Sequence, residues 1–126
     1  PLRLRKLTEA AVPYLENENG YFLLVEASQV DWAGHGNDIS AAMAEMHDLA
    51  KTMEYLYEYV QSHPNTLVVM TADHSTGGLT IGANGVYSWQ PQWLKNFKAS
   101  ISTIASAIIN EADKGAFVSV QERYTA

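Results

Sequence analysis

Two short apolar runs without alternation bracket a long amphipathic stretch, and that order constrains the fold of these 126 residues more than any other feature. The runs are Tyr21-Phe22-Leu23-Leu24-Val25 and Thr66-Leu67-Val68-Val69-Met70-Thr71. An apolar run without period two reads as a strand buried on both faces. Between them Ile39, Ala42, Met43, Met46, Leu49, Ala50, Met53, Leu56, Tyr57 and Val60 recur at helical spacing, with Glu45, Asp48, Lys51 and Glu58 off the stripe. Asp38 is a natural N-cap and Pro64 a natural stop, which predicts a helix over 39–62, roughly 36 Å long at ~1.5 Å per residue. Strand, helix, strand is a βαβ unit with parallel strands and a right-handed crossover. The expected fold class is therefore α/β, a partial three-layer αβα sandwich with a mixed helical C-terminal segment.

The rest of the chain is less regular. Thr8 to Asn17 reads as a helix that Pro13 kinks or begins, because proline removes a backbone donor. The polar, small-residue stretch from Glu26 to Asp38 reads as a loop. Trp89, Trp93 and Phe97 supply an aromatic cluster around Pro91. Residues 101–112 carry a second amphipathic pattern that Gly115 would stop, and Phe117-Val118-Ser119-Val120 has the look of a short strand. No repeat or linker divides the chain, so 1–126 is treated as one segment. Lacking an initiator methionine or a signal peptide, it reads as a piece of a larger protein.

If both strands end on one sheet edge, the side chains just beyond them meet where ligands of open α/β sheets bind. Those residues are Glu26, Asp31 and His35 after the first run, and Asp73 and His74 after the second. Glycines flank His35 on both sides, allowing a tight backbone on which Asp31 and His35 converge. With no cysteine in the chain, any metal must sit on His, Asp and Glu, a donor set that suits a catalytic zinc more than a structural one. Glu26, a hard oxygen donor, suits magnesium better. The other histidines read as ordinary: His47 on a helix flank, His63 complementing a helix C-terminus. Met43, Met46 and Met53 read as core filling, and the acidic residues of the long helix as a solvated face. A net charge of −6 argues against a nucleic-acid partner, and no apolar run is long enough to span a membrane.

Val25-Glu26-Ala27-Ser28-Gln29-Val30-Asp31-Trp32-Ala33-Gly34-His35 and Thr71-Ala72-Asp73-His74-Ser75-Thr76-Gly77-Gly78 together resemble the alkaline phosphatase family. The Asp-x-x-x-His and Asp-His parts are shared with the wider superfamily, and the glutamate five residues before Asp31 narrows the match. The resemblance covers about 7–82 as a catalytic core and leaves 84–126 as a variable or insertion region. It implies that Glu26 binds magnesium, that Asp31 and His35 bind one zinc, and that Asp73 and His74 bind a second. By the resemblance, Trp32 stands where other members carry a Lys or His that touches bound phosphate through water, and a tryptophan there is similar to the variant of marine bacterial enzymes. The implied reaction is hydrolysis of phosphate monoesters: a metal-activated serine attacks phosphorus, and the phosphoserine is then hydrolysed.

The family's nucleophilic serine and its phosphate-binding arginine have no counterpart in the matched blocks. Ser28, Ser40 and Ser75 stand elsewhere, as do Arg3, Arg5 and Arg123. The chain is thus expected to carry part of a metal site and to be inactive alone. The resemblance further implies a periplasmic or secreted homodimer, and self-association is expected of the chain by itself. A phosphodiesterase, nucleotide pyrophosphatase or phosphomutase of the same superfamily is the alternative, followed by a non-catalytic relic domain.

Overall fold

The structure, a computed structural model, describes residues 2–79, 82–88 and 90–113. It divides into two units, 1–90 and 91–126. Three helices build the first: α1 (Arg3–Leu15), α2 (Ser28–His35) and α3 (Ile39–Ser62). The second holds a 3-10 segment, Pro91–Asn96, and α4 (Ile101–Asp113), whose first turn is capped by Ser100 Oγ accepting from the Thr103 amide at 3.2 Å. Trp89, Gly115, residues 117–120 and Arg123 lie outside the described residues.

No strand forms among the described residues, and the expected αβα sandwich with its parallel βαβ unit is corrected to a helical arrangement. The two apolar runs flank α3 as anticipated, yet no backbone hydrogen bond joins 20–27 to 66–72. Phe22 and Leu67 are left 90% and 85% exposed. The physical reason is that an apolar run reports a demand for burial on both faces, whereas a strand exists only when another backbone accepts its hydrogen bonds.

α3 organises the first unit, packing against both α1 and α2. Its limits follow from local chemistry. Asp38 Oδ1 accepts from the Ala41 amide at 3.0 Å, and the helix closes at Ser62, with His63 as C-cap before Pro64. α1 begins five residues earlier than the periodicity suggests and runs through Pro13. Its start is set by a partner outside its own sequence. Leu2, at its N-cap, offers no side-chain cap, and Asp48 of α3 reaches across: Oδ2 accepts from the Leu4 amide at 2.9 Å and Oδ1 from the Arg5 amide at 3.1 Å. Asp48 is 4% exposed. It is no member of a solvated face but the N-terminal cap of α1, satisfying two of the four orphan amides and complementing the helix dipole. Beside it the buried Thr8 and Thr52 return their hydroxyls to their own helices, on the Leu4 and Asp48 carbonyls, so the seam hides no unpaired hydroxyl there. Met43 and Met46 are about half exposed and do not fill a core.

A second tie closes the other end of this helix pair. Tyr59 of α3 donates to Glu16 Oε1 at 2.7 Å and accepts from the Tyr21 hydroxyl at 3.2 Å, while His63 stacks on its ring at 3.9 Å between centroids. Hydrogen bonding with Tyr21, partial burial and the Glu16 carboxylate together raise the Tyr59 phenol far above the usual tyrosine range. The sign follows from the native state favouring the neutral phenol. Its stabilisation is whole below the unfolded value of about 10 and is lost only as pH climbs through the raised folded value. The stability difference between wild type and Tyr59→Phe is therefore expected to stay constant from neutrality to about pH 10 and to shrink above it. Urea unfolding of the full-length protein across that range checks this. A difference that shrinks well below that pH would remove Tyr59 from the contact.

Candidate functional site

The stretch expected to be a loop before α3 is largely a helix. α2 places Asp31 in its first turn, where a carboxylate complements the dipole, and His35 in its last turn. The four-residue spacing puts both on one face, with His35 Nε2 3.5 Å from Asp31 Oδ2. The end of α2 is defined by backbone bonds. The Asn37 amide donates to the Gly34 carbonyl at 2.9 Å and the Asp38 amide to the Ala33 carbonyl at 3.0 Å, with Asn37 at φ 48. That is a Schellman closure with asparagine at the left-handed position. It hands the chain directly to Asp38, the cap of α3.

Residues 76–78 dock on this corner. The Gly78 amide donates to Asn37 Oδ1 at 2.8 Å. Two glycines permit the approach. A Cβ on Gly34 would stand 2.8 Å from the Thr76 carbonyl oxygen, and one on Gly77, at φ +88, would overlap the Gly34 carbonyl. Held there, Thr76 Oγ1 lies 2.5 Å from Asp31 Oδ1 and 2.8 Å from His74 Nδ1. Asp73 precedes them, its Oδ2 3.5 Å from His74 Nε2 and its Oδ1 accepting from the His74 amide at 3.0 Å.

The four candidate ligands thus form two Asp/His pairs joined through one hydroxyl. In each pair the carboxylate oxygen and imidazole nitrogen are 3.5 Å apart. Two ligands each ~2.0–2.2 Å from one tetrahedral ion stand ~3.4 Å apart, so the spacing and donor chemistry suit a divalent cation. Among the described residues no three such groups converge on one point. Glu26, exposed two residues before α2, takes part in none of the hydrogen bonds or ion pairs among the described residues. Trp32 projects from α2 and is 69% exposed. Thr76, Asn37 and the Gly34–Gly77 approach escaped the reading of the sequence. The signal available was a hydroxyl two residues after His74, followed by two glycines.

A family model described as alkaline phosphatase matches residues 2–125. The chain belongs to the alkaline phosphatase family. Among curated alkaline phosphatases, alkaline phosphatase 3 of Bacillus subtilis is 43% identical over 111 residues, 87% of this chain and 24% of its own length. Alkaline phosphatase 4 of the same organism is 41% identical over 106 residues, 83% of this chain and 23% of its own. Among solved structures, a cold-active alkaline phosphatase from the psychrophile Shewanella sp. is 50% identical, with a TM-score of 0.76 over 83% of this chain and 27% of that one. The chain spans about a quarter of the length of these alkaline phosphatases. Among the described residues no helix is long and apolar enough to cross a membrane.

Proposed function

We propose that the full-length protein containing this chain is a phosphate monoester hydrolase of alkaline phosphatase type, in which Asp31 and His35 hold one zinc ion, Asp73 and His74 a second, and Glu26 a magnesium ion. The observation that carries the reading is the juncture at Thr76, whose hydroxyl links two Asp/His pairs from segments 42 positions apart. When bound, such ions neutralise the charge of the transferring phosphoryl group and favour a deprotonated nucleophile.

This chain's residues supply the holding. Asp31 and Asp73 contribute negative charge, and His35 and His74 contribute nitrogen donors whose Nε2 atoms lie 3.5 Å from the carboxylate of the same pair. In this reading Trp32, exposed on the helix that carries Asp31 and His35, borders the phosphate. The nucleophile and the cation that clamps the phosphate oxygens come from the rest of the protein, and the chain alone is inactive in this reading. Periplasmic or secreted location and a homodimer rest on the family alone. Self-association of the isolated chain is supported by its exposed apolar runs.

The test is hydrolysis of p-nitrophenyl phosphate by the full-length protein at about pH 9, before and after dialysis against a chelator. Turnover of roughly 1–10³ s⁻¹ is expected, lost to below about 1% on chelation and restored by Zn²⁺ with Mg²⁺. Preference for bis-p-nitrophenyl phosphate would favour the phosphodiesterase reading. Inactivity toward both esters with zinc bound would favour a relic.

A further inference from the structure

The hydroxyl of Thr76 has one proton and two polar neighbours, and that count decides how the site is wired. Asp31 Oδ1, at 2.5 Å, belongs to a carboxylate, which when ionised only accepts. The Thr76 proton therefore goes to Asp31, and the distance is that of a charge-assisted O–H···O⁻ bond. His74 Nδ1, at 2.8 Å from the same oxygen, is left with only lone pairs to meet, so it must donate. The Ser75 carbonyl oxygen, 3.4 Å from Nδ1, also offers only lone pairs and favours the same proton position. A neutral imidazole protonated at Nδ1 has its lone pair on Nε2, the atom 3.5 Å from Asp73 Oδ2.

We propose that Thr76 is a positioning residue: its hydroxyl relay from His74 Nδ1–H to Asp31 holds His74 in the tautomer whose Nε2 can ligate, and couples the Asp31/His35 pair to the Asp73/His74 pair. The relay also explains the placement of the two glycines, since the seating of Thr76 depends on its carbonyl passing directly over Gly34. The inference rests on the proposed ligand set, but its first readout does not require metal.

In zinc-free, full-length protein with ¹⁵N-labelled histidine, NMR above pH ~8, past the ordinary imidazole range, is expected to show His74 chiefly as the Nδ1–H tautomer. Thr76→Val keeps the branched shape and removes the hydroxyl. It is expected to return His74 to a mixed tautomer population and to weaken zinc binding by about ten- to a hundredfold in chelator competition, with Thr76→Ser restoring both. An Nε2–H tautomer in the wild type overturns the proposal whether or not the variant folds, as does a folded Thr76→Val with unchanged tautomer and zinc affinity. The controls Asp31→Ala and His74→Ala separate the two readings. If neither weakens zinc, the ligand set falls. If both do and Thr76→Val does not, only the relay falls.

Discussion

Asp31→Ala is expected to lower phosphate-ester turnover of the full-length protein by on the order of 10³-fold or more, because groups that act as a unit lose nearly all their effect when one is removed. Asp31 is the most connected group at the site. It faces His35 at 3.5 Å, accepts from Thr76 at 2.5 Å and through that hydroxyl reaches His74. Alanine therefore removes a candidate ligand from one pair and the acceptor that orders the other. Asp31→Asn separates the effects. The amide keeps an oxygen for Thr76 but gives up the charge, so zinc affinity is expected to fall while His74 retains its tautomer. Steady-state kinetics with added Zn²⁺, alongside chelator competition, measures both. Turnover within tenfold of wild type in Asp31→Ala would remove Asp31 from the ligand set.

The second large effect is on stability. Asp48→Ala leaves the part-buried amides of Leu4 and Arg5 without their acceptor, and two charge-assisted bonds to backbone are lost together. A cost of about 3 kcal/mol is expected, given roughly 1–3 kcal/mol for each buried donor left unpaired. Asp48→Asn retains one oxygen acceptor and is expected to cost about half as much. Urea unfolding gives the magnitude, and hydrogen exchange in the peptide covering residues 3–6 gives the location. A loss below about 1 kcal/mol with exchange unchanged would mean that water replaces the carboxylate.

The contrast between α3 and α2 shows what the sequence disclosed. α3 was legible from end to end because its stripe, its Asp38 cap and its Pro64 stop are all local. α2 was not. It is eight residues long, contains Gly34 and lacks a side-chain cap, and its end is fixed by the Asn37 and Asp38 amides. Asp48 was misread for a related reason. Periodicity assigns a carboxylate to the solvent side, and the helix start that needs it lies 44 positions away. The apolar runs at 21–25 and 66–71 do not form the expected strands, since composition cannot supply a pairing partner. At the site, spacing revealed the two Asp/His pairs. Their linkage was hidden, because it depends on a left-handed Asn37 and on two backbones meeting at glycine.

That meeting has a bearing on redesign. A Cβ on Gly77 would overlap the Gly34 carbonyl and one on Gly34 would press on the Thr76 carbonyl, so both positions are closed by backbone atoms that no substitution elsewhere can trim. A combinatorial library aimed at substrate preference gains nothing from varying either position. Under the proposed reading diversity belongs at Trp32, whose ring is exposed one position beyond Asp31 and lies outside the contact made by the two glycines.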